Sequence, residues 1–72
     1  MAADSKHNGI GAWVDAKSWR GLLYFALRDG KWVCVKVDKP AGQFFKGWPS
    51  TQVREFCQKC GWEFRRIGKV EV

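Results

Sequence analysis

The clearest pattern in the chain is a pair of apolar runs split by a turn signal. Leu22-Leu23-Tyr24-Phe25-Ala26-Leu27-Arg28 is followed by Asp29-Gly30 and then by Lys31-Trp32-Val33-Cys34-Val35-Lys36-Val37. Asp-Gly supplies the positive backbone angles of a two-residue hairpin turn, and aromatic and β-branched residues crowd both flanks. The pattern predicts a β-hairpin. With Asp29-Gly30 as its loop, Leu27, Phe25 and Leu23 oppose Trp32, Cys34 and Lys36 on one face. Ala26, Tyr24 and Leu22 then oppose Val33, Val35 and Val37 on the other. Both faces are apolar, whereas an antiparallel sheet commonly leaves one face to water, so each side calls for a cover.

Past the hairpin, Asp38-Lys39-Pro40-Ala41-Gly42 breaks the strand, and Phe44, Phe45 and Trp48 follow in a loop closed by Pro49-Ser50. With Ser50 or Thr51 as N-cap, Val53, Phe56, Cys57 and Cys60 fall at i, i+3, i+4 and i+7, which predicts a short amphipathic helix ended by Gly61. Glu55 and Lys59 stand four apart on its other side in the favourable order. Trp62, Phe64 and Arg66 then alternate with Glu63, Arg65 and Ile67. A third strand is expected here, bent at Gly68 and continued or folded back over residues 69–72. Residues 10–19 show neither period cleanly and read as an irregular or short-strand segment, with Trp13 and Trp19 as the expected cover for an exposed sheet face.

The fold these elements predict is a single α+β domain over residues 10–72, preceded by a flexible arm over 1–9. Its sheet is antiparallel with three or four strands and one short helix on one face, in the order β-β-α-β. The expected core is Leu23, Phe25, Leu27, Trp32, Cys34, Val53, Phe56, Cys57 and Phe64. Short strands with glycine-rich turns also allow an alternative, a five-stranded barrel with the 51–60 helix as a plug.

Composition narrows the functional classes. Seventy-two residues leave no room for a second domain, and five tryptophans with 46% hydrophobic residues exclude a chain disordered throughout. Thirteen Lys and Arg against seven Asp and Glu give a net charge of +6, a basic balance suited to an anionic partner. No run approaches the length of a membrane span, and the polar start lacks a secretory layout, so the expected setting is the cytoplasm. Three cysteines are an odd number and fit reduced thiols.

No constellation for catalysis emerges. His7 is the one histidine and lies in the arm, the carboxylates are scattered singly, and no phosphate-binding glycine loop is present, so neither an enzyme nor a cofactor is expected. Cys57-Gln58-Lys59-Cys60-Gly61 has the spacing of half a zinc knuckle, but the helix period also explains both cysteines as small hydrophobes.

The cations are the better lead. Lys46, Arg54, Arg65, Arg66 and Lys69 can meet phosphates, with Trp48 as a stacking residue, as in nucleic-acid or nucleoprotein binding. RNP-type aromatic strands, KH glycine loops and helix-turn-helix patterns are absent. The alternative is a protein-binding inhibitor or adaptor of the kind mobile elements and phages carry, with a homodimer as a further possibility. It would act by occlusion through an apolar sheet face or through Phe44, Phe45 and Trp48, with Tyr24 also in contact.

Overall fold

A computed structural model of the protein describes residues 9–70. Four strands, β1 (Gly9–Asp15), β2 (Arg20–Arg28), β3 (Lys31–Val37) and β4 (Glu63–Val70), form one antiparallel sheet in the order β3-β2-β1-β4. A 3₁₀ helix (Pro40–Phe45) and a single α-helix, α1 (Ser50–Cys60), connect β3 to β4. The fold is therefore α+β with an open sheet. The barrel alternative fails because β3 and β4 are separate edges of that sheet and do not pair with each other.

The predicted hairpin is present, and its turn is the expected one: Asp29 (φ 52°) and Gly30 (φ 77°) both take left-handed angles. Leu27 opposes Trp32, Phe25 opposes Cys34 and Ala26 opposes Val33, as the sequence indicates. Beyond Phe25 the expected register is corrected. Val35 is an extra residue, so Lys36 faces Tyr24 and Val37 faces Leu23. The bulge turns the charged Lys36 out of the core side and brings in Val37, which is buried.

Residues 10–19 are the main departure from the expected layout. They hold a full strand at the centre of the sheet, hydrogen-bonded to β2 on one side and β4 on the other. Ile10, Ala12 and Val14 alternate on the core side, a period of two that the small residues Gly9, Gly11 and Ala12 make faint in the sequence. The β1–β2 turn has no glycine or proline. Asp15 holds it by accepting the Lys17 N–H at 3.0 Å, with Lys17 at φ 71°. Of the arm expected over residues 1–9, Gly9 opens β1 and the remainder lies outside the described residues.

The core lies on one side of the sheet, beneath α1 and the 3₁₀ helix. Ala12, Val14, Leu23, Phe25, Cys34 and Val37 meet Phe45, Val53 and Cys57 there. Of the expected core, Trp32, Phe56 and Phe64 are only partly buried, and Leu27 is 53% exposed at the turn end of the hairpin. Helix α1 starts with Pro49 at the N-cap position and without a side-chain cap, so neither Ser50 nor Thr51 serves as one. It ends as predicted on Gly61 in the left-handed conformation (φ 73°). Cys60, expected on the buried stripe, is exposed in the last turn.

The loop residues Phe44, Phe45 and Trp48 join Trp19, Phe56 and Trp62 in a cluster of largely edge-to-face rings with centroids 4.2 to 6.4 Å apart. The loop also closes part of the outer edge of β3. The Cys34 N–H donates to the Trp48 carbonyl at 2.9 Å, the Gly47 N–H donates to the Cys34 carbonyl at 2.8 Å, and Val33 bridges Pro49.

Candidate nucleic-acid interface

The two faces of the sheet differ in what lies over them. α1 and the 3₁₀ helix cover the core face, and among the described residues no element covers the other. The strand period sends Trp13 from β1 and Leu22 and Tyr24 from β2 to this open face, with Ala26, Val33, Val70 and Arg65 beside them. Trp13 and Trp19, expected to cover a face, do not do so together. Trp13 is part of the open face, whereas Trp19 packs on the core side against Phe45 and Trp62 at 6.4 and 6.0 Å.

The open face carries rings and cations in alternation. Lys36, turned outward by the bulge, places its Nζ 5.3 Å from the centroid of the Tyr24 ring. Arg65 stands opposite Trp13 on β4 and holds Glu63 at 2.8 Å. Arg20 pairs with Asp15 at 3.0 Å, and Asp15 is held below the usual carboxylate range by the Lys17 N–H and then by Arg20. Ile67 and Val70 lean over Gly11, where a side chain would meet them at 3.2 and 3.0 Å.

The cations singled out in the sequence do not form one patch. Arg65 and Arg66, adjacent in β4, point to opposite sides of the sheet: Arg65 to the open face and Arg66 to the α1 side. Arg66 and Arg54 line one cleft between α1 and the sheet, and Lys69 is exposed opposite Ile10. Lys46 is exposed after the 3₁₀ helix, its N–H bonded to the Gln43 carbonyl. Trp48 is partly buried, with Phe45 and Phe56 edge-on at 5.2 and 5.4 Å, which limits it as a stacking surface.

Among the contacts expected for a protein partner, Phe45 is corrected. It is fully buried and anchors the loop from within the core. Phe44 is 44% exposed, and Tyr24 lies on the open face.

Comparison with protein-family models, with curated proteins and with solved structures finds no match.

The cysteine pair separates in space by burial. Cys57 is fully buried and its thiol is pushed up to about 11 by desolvation and by Cys60, so it stays protonated at neutral pH, whereas Cys60 is exposed. Burial also pushes the Cys34 thiol up. Among the described residues no group of three or more His, Cys, Asp or Glu is placed to hold a metal ion, and His7 lies outside them. None of the described helices is long and apolar enough to cross a membrane.

Two contributors were not singled out as site residues in the sequence. For Trp13 the sole signal is the alternation of Ile10, Ala12 and Val14, faint among the small residues, which sends it to the opposite face. Lys36 reaches the open face through the Val35 bulge, for which no residue pattern gave a signal.

Proposed function

We propose that the protein is a non-enzymatic binder of single-stranded nucleic acid, using the open face of its sheet. The observation that carries this reading is the placement of Trp13 and Tyr24 on the two central strands, on a face that none of the described elements covers, with Lys36 over one ring and Arg65 across from the other. Bases of any sequence can stack on such rings while cations follow the phosphates. The net charge of +6 supports the same reading by drawing a polyanion to the surface.

Titration of the full chain with a single-stranded oligonucleotide, followed by tryptophan fluorescence, tests it. Binding should weaken steeply between about 50 and 200 mM salt. Tyr24→Ala should weaken it by about 1–3 kcal/mol, the usual contribution of one base on one ring. Lys36→Ala should flatten the salt slope. Affinity that ignores salt and survives Tyr24→Ala would overturn the reading.

A second reading has its own observation. Leu22, Val33 and Val35 are only partly buried and Ile67 is 52% exposed, which suits a protein surface packed on the same face. An inhibitor or adaptor acting by occlusion, or a homodimer, would use these residues. Binding that is insensitive to salt but lost with Ile67→Asp would favour it.

A further inference from the structure

We propose that the cleft between α1 and the core side of the sheet binds a small oxyanion attached to a single flat ring. The site lies on the side of the sheet opposite the open face and does not depend on the function proposed for that face.

The cleft has a volume of about 190 Å³. Its floor includes Phe25, with Trp32 and Phe64 beside it, and Arg54 from α1 and Arg66 from β4 line it together. No carboxylate is among its lining residues. Arg54 and Arg66, exposed residues from separate elements, thus line one apolar-floored cleft with no acidic lining residue beside them. An anion bound in the cleft would meet positive charge from both elements.

The chemistry of the lining sets the ligand class. Guanidinium forks match the oxygens of a phosphate or carboxylate in pairs, which fixes the head group. Ser50 and Thr51 lie at the same cleft and add hydroxyl groups. Aromatic walls favour a flat ring as the body through stacked or edge-on contact. The space falls well below the sites that enclose drug-sized ligands. One ring fits, with its head at the arginines. An aryl phosphate and an aryl-bearing carboxylate share this chemistry.

Amide and indole NMR shifts of the full chain test the site with four probes: phenyl phosphate, phenol, inorganic phosphate and 3-phenylpropionate. The phenyl phosphate, the phenylpropionate or both should shift the Trp32 indole saturably. Phenol and phosphate alone should bind at least about tenfold more weakly, because each lacks half of the recognised group. Which ring-bearing probe binds more tightly identifies the source of the oxyanion.

The double variant R54Q with R66Q should weaken binding of the better probe by at least about tenfold. R54K with R66K, which keeps the charge and loses the fork, should fall between it and the natural chain. Tyr24→Ala should leave this binding unchanged, even where it abolishes oligonucleotide binding. The proposal is overturned if no probe shifts Trp32 saturably, or if affinity is the same in the glutamine variant with its spectrum still dispersed.

Discussion

The carboxylate of Asp38 lies directly against the backbone of Gly21. Its Oδ1 accepts the Leu22 N–H at 2.8 Å, and a methyl group at Gly21 would stand 2.6 Å from that same oxygen. The Leu22 carbonyl in turn accepts the Asp38 N–H at 3.2 Å, so the end of β3 is fastened to the start of β2. Gly21→Ala should displace the carboxylate and cost about 1–3 kcal/mol, through steric overlap and a lost acceptor. Thermal unfolding should register a fall of several degrees. Asp38→Asn, which keeps a side-chain oxygen, should cost less than Asp38→Ala.

The two adjacent phenylalanines should behave differently when truncated. Phe45 is fully buried, and Phe45→Ala should cost about 3–5 kcal/mol, comparable to the whole stability of a domain this small. Phe44 packs on Phe45 at 4.2 Å with 44% of its surface exposed, and Phe44→Ala should cost about 0.5–1.5 kcal/mol. Denaturant unfolding of both variants measures the difference. Equal losses would contradict the assignment of Phe45 to the core.

The turn at Asp29-Gly30 isolates a purely conformational cost. A side chain at Gly30 would meet nothing within 4 Å, yet its φ is 77°. Gly30→Ala should therefore destabilise by about 1 kcal/mol through backbone strain alone. The change should leave the core resonances in place, which NMR can check.

Alkaline pH should weaken the fold through Cys57. Its thiol titrates near 9.0 when unperturbed and near 11 in the folded protein. Below pH 9 both states hold the proton, so the group adds no pH dependence. Between about pH 9 and 11 the unfolded state loses the proton first, and stability falls by roughly 2–3 kcal/mol across that window. Cys57→Ala should remove much of this slope, although Cys34 shifts in the same direction and retains its share. Near neutral pH, iodoacetamide should label the exposed Cys60 well ahead of the other two thiols.

Much of the fold was legible because local chemistry and tertiary structure agree in the middle and at the end of the chain. The Asp29-Gly30 turn, the α1 stripe of Val53 and Cys57, and the stop at Gly61 each had a residue-level cause that survived packing. Gly68, expected to bend the last strand, has φ 125° beside the irregularity in the β1–β4 register. β1 was faint because alternation among Gly9, Gly11 and Ala12 carries little hydrophobic contrast. The 3₁₀ helix at Pro40–Phe45 was read as loop, since a single proline start resembles a turn.

The candidate site was legible in residue type but not in grouping. Alternation alone separates Arg65 from Arg66, whereas the meeting of Arg66 with Arg54 is a tertiary event between β4 and α1. Trp48 looked available beside Lys46, but its edge-on neighbours Phe45 and Phe56 come from the core. Burial of Phe45 likewise depends on the 3₁₀ helix folding back over the sheet.

The bridge from Val33 to Pro49 makes the sheet polar in a sense unrelated to charge. With the β3 rim engaged by its own loop, growth of the ladder by an incoming strand has, among the described residues, its free starting place at β4. That rim carries Glu63, Arg65, Arg66 and Lys69 within eight residues, so an incoming apolar strand would have to be laid against a row of solvated charges. Replacing those charges with valine or threonine would therefore turn a self-limiting sheet into a template for fibrillar stacking, without altering any residue of the core.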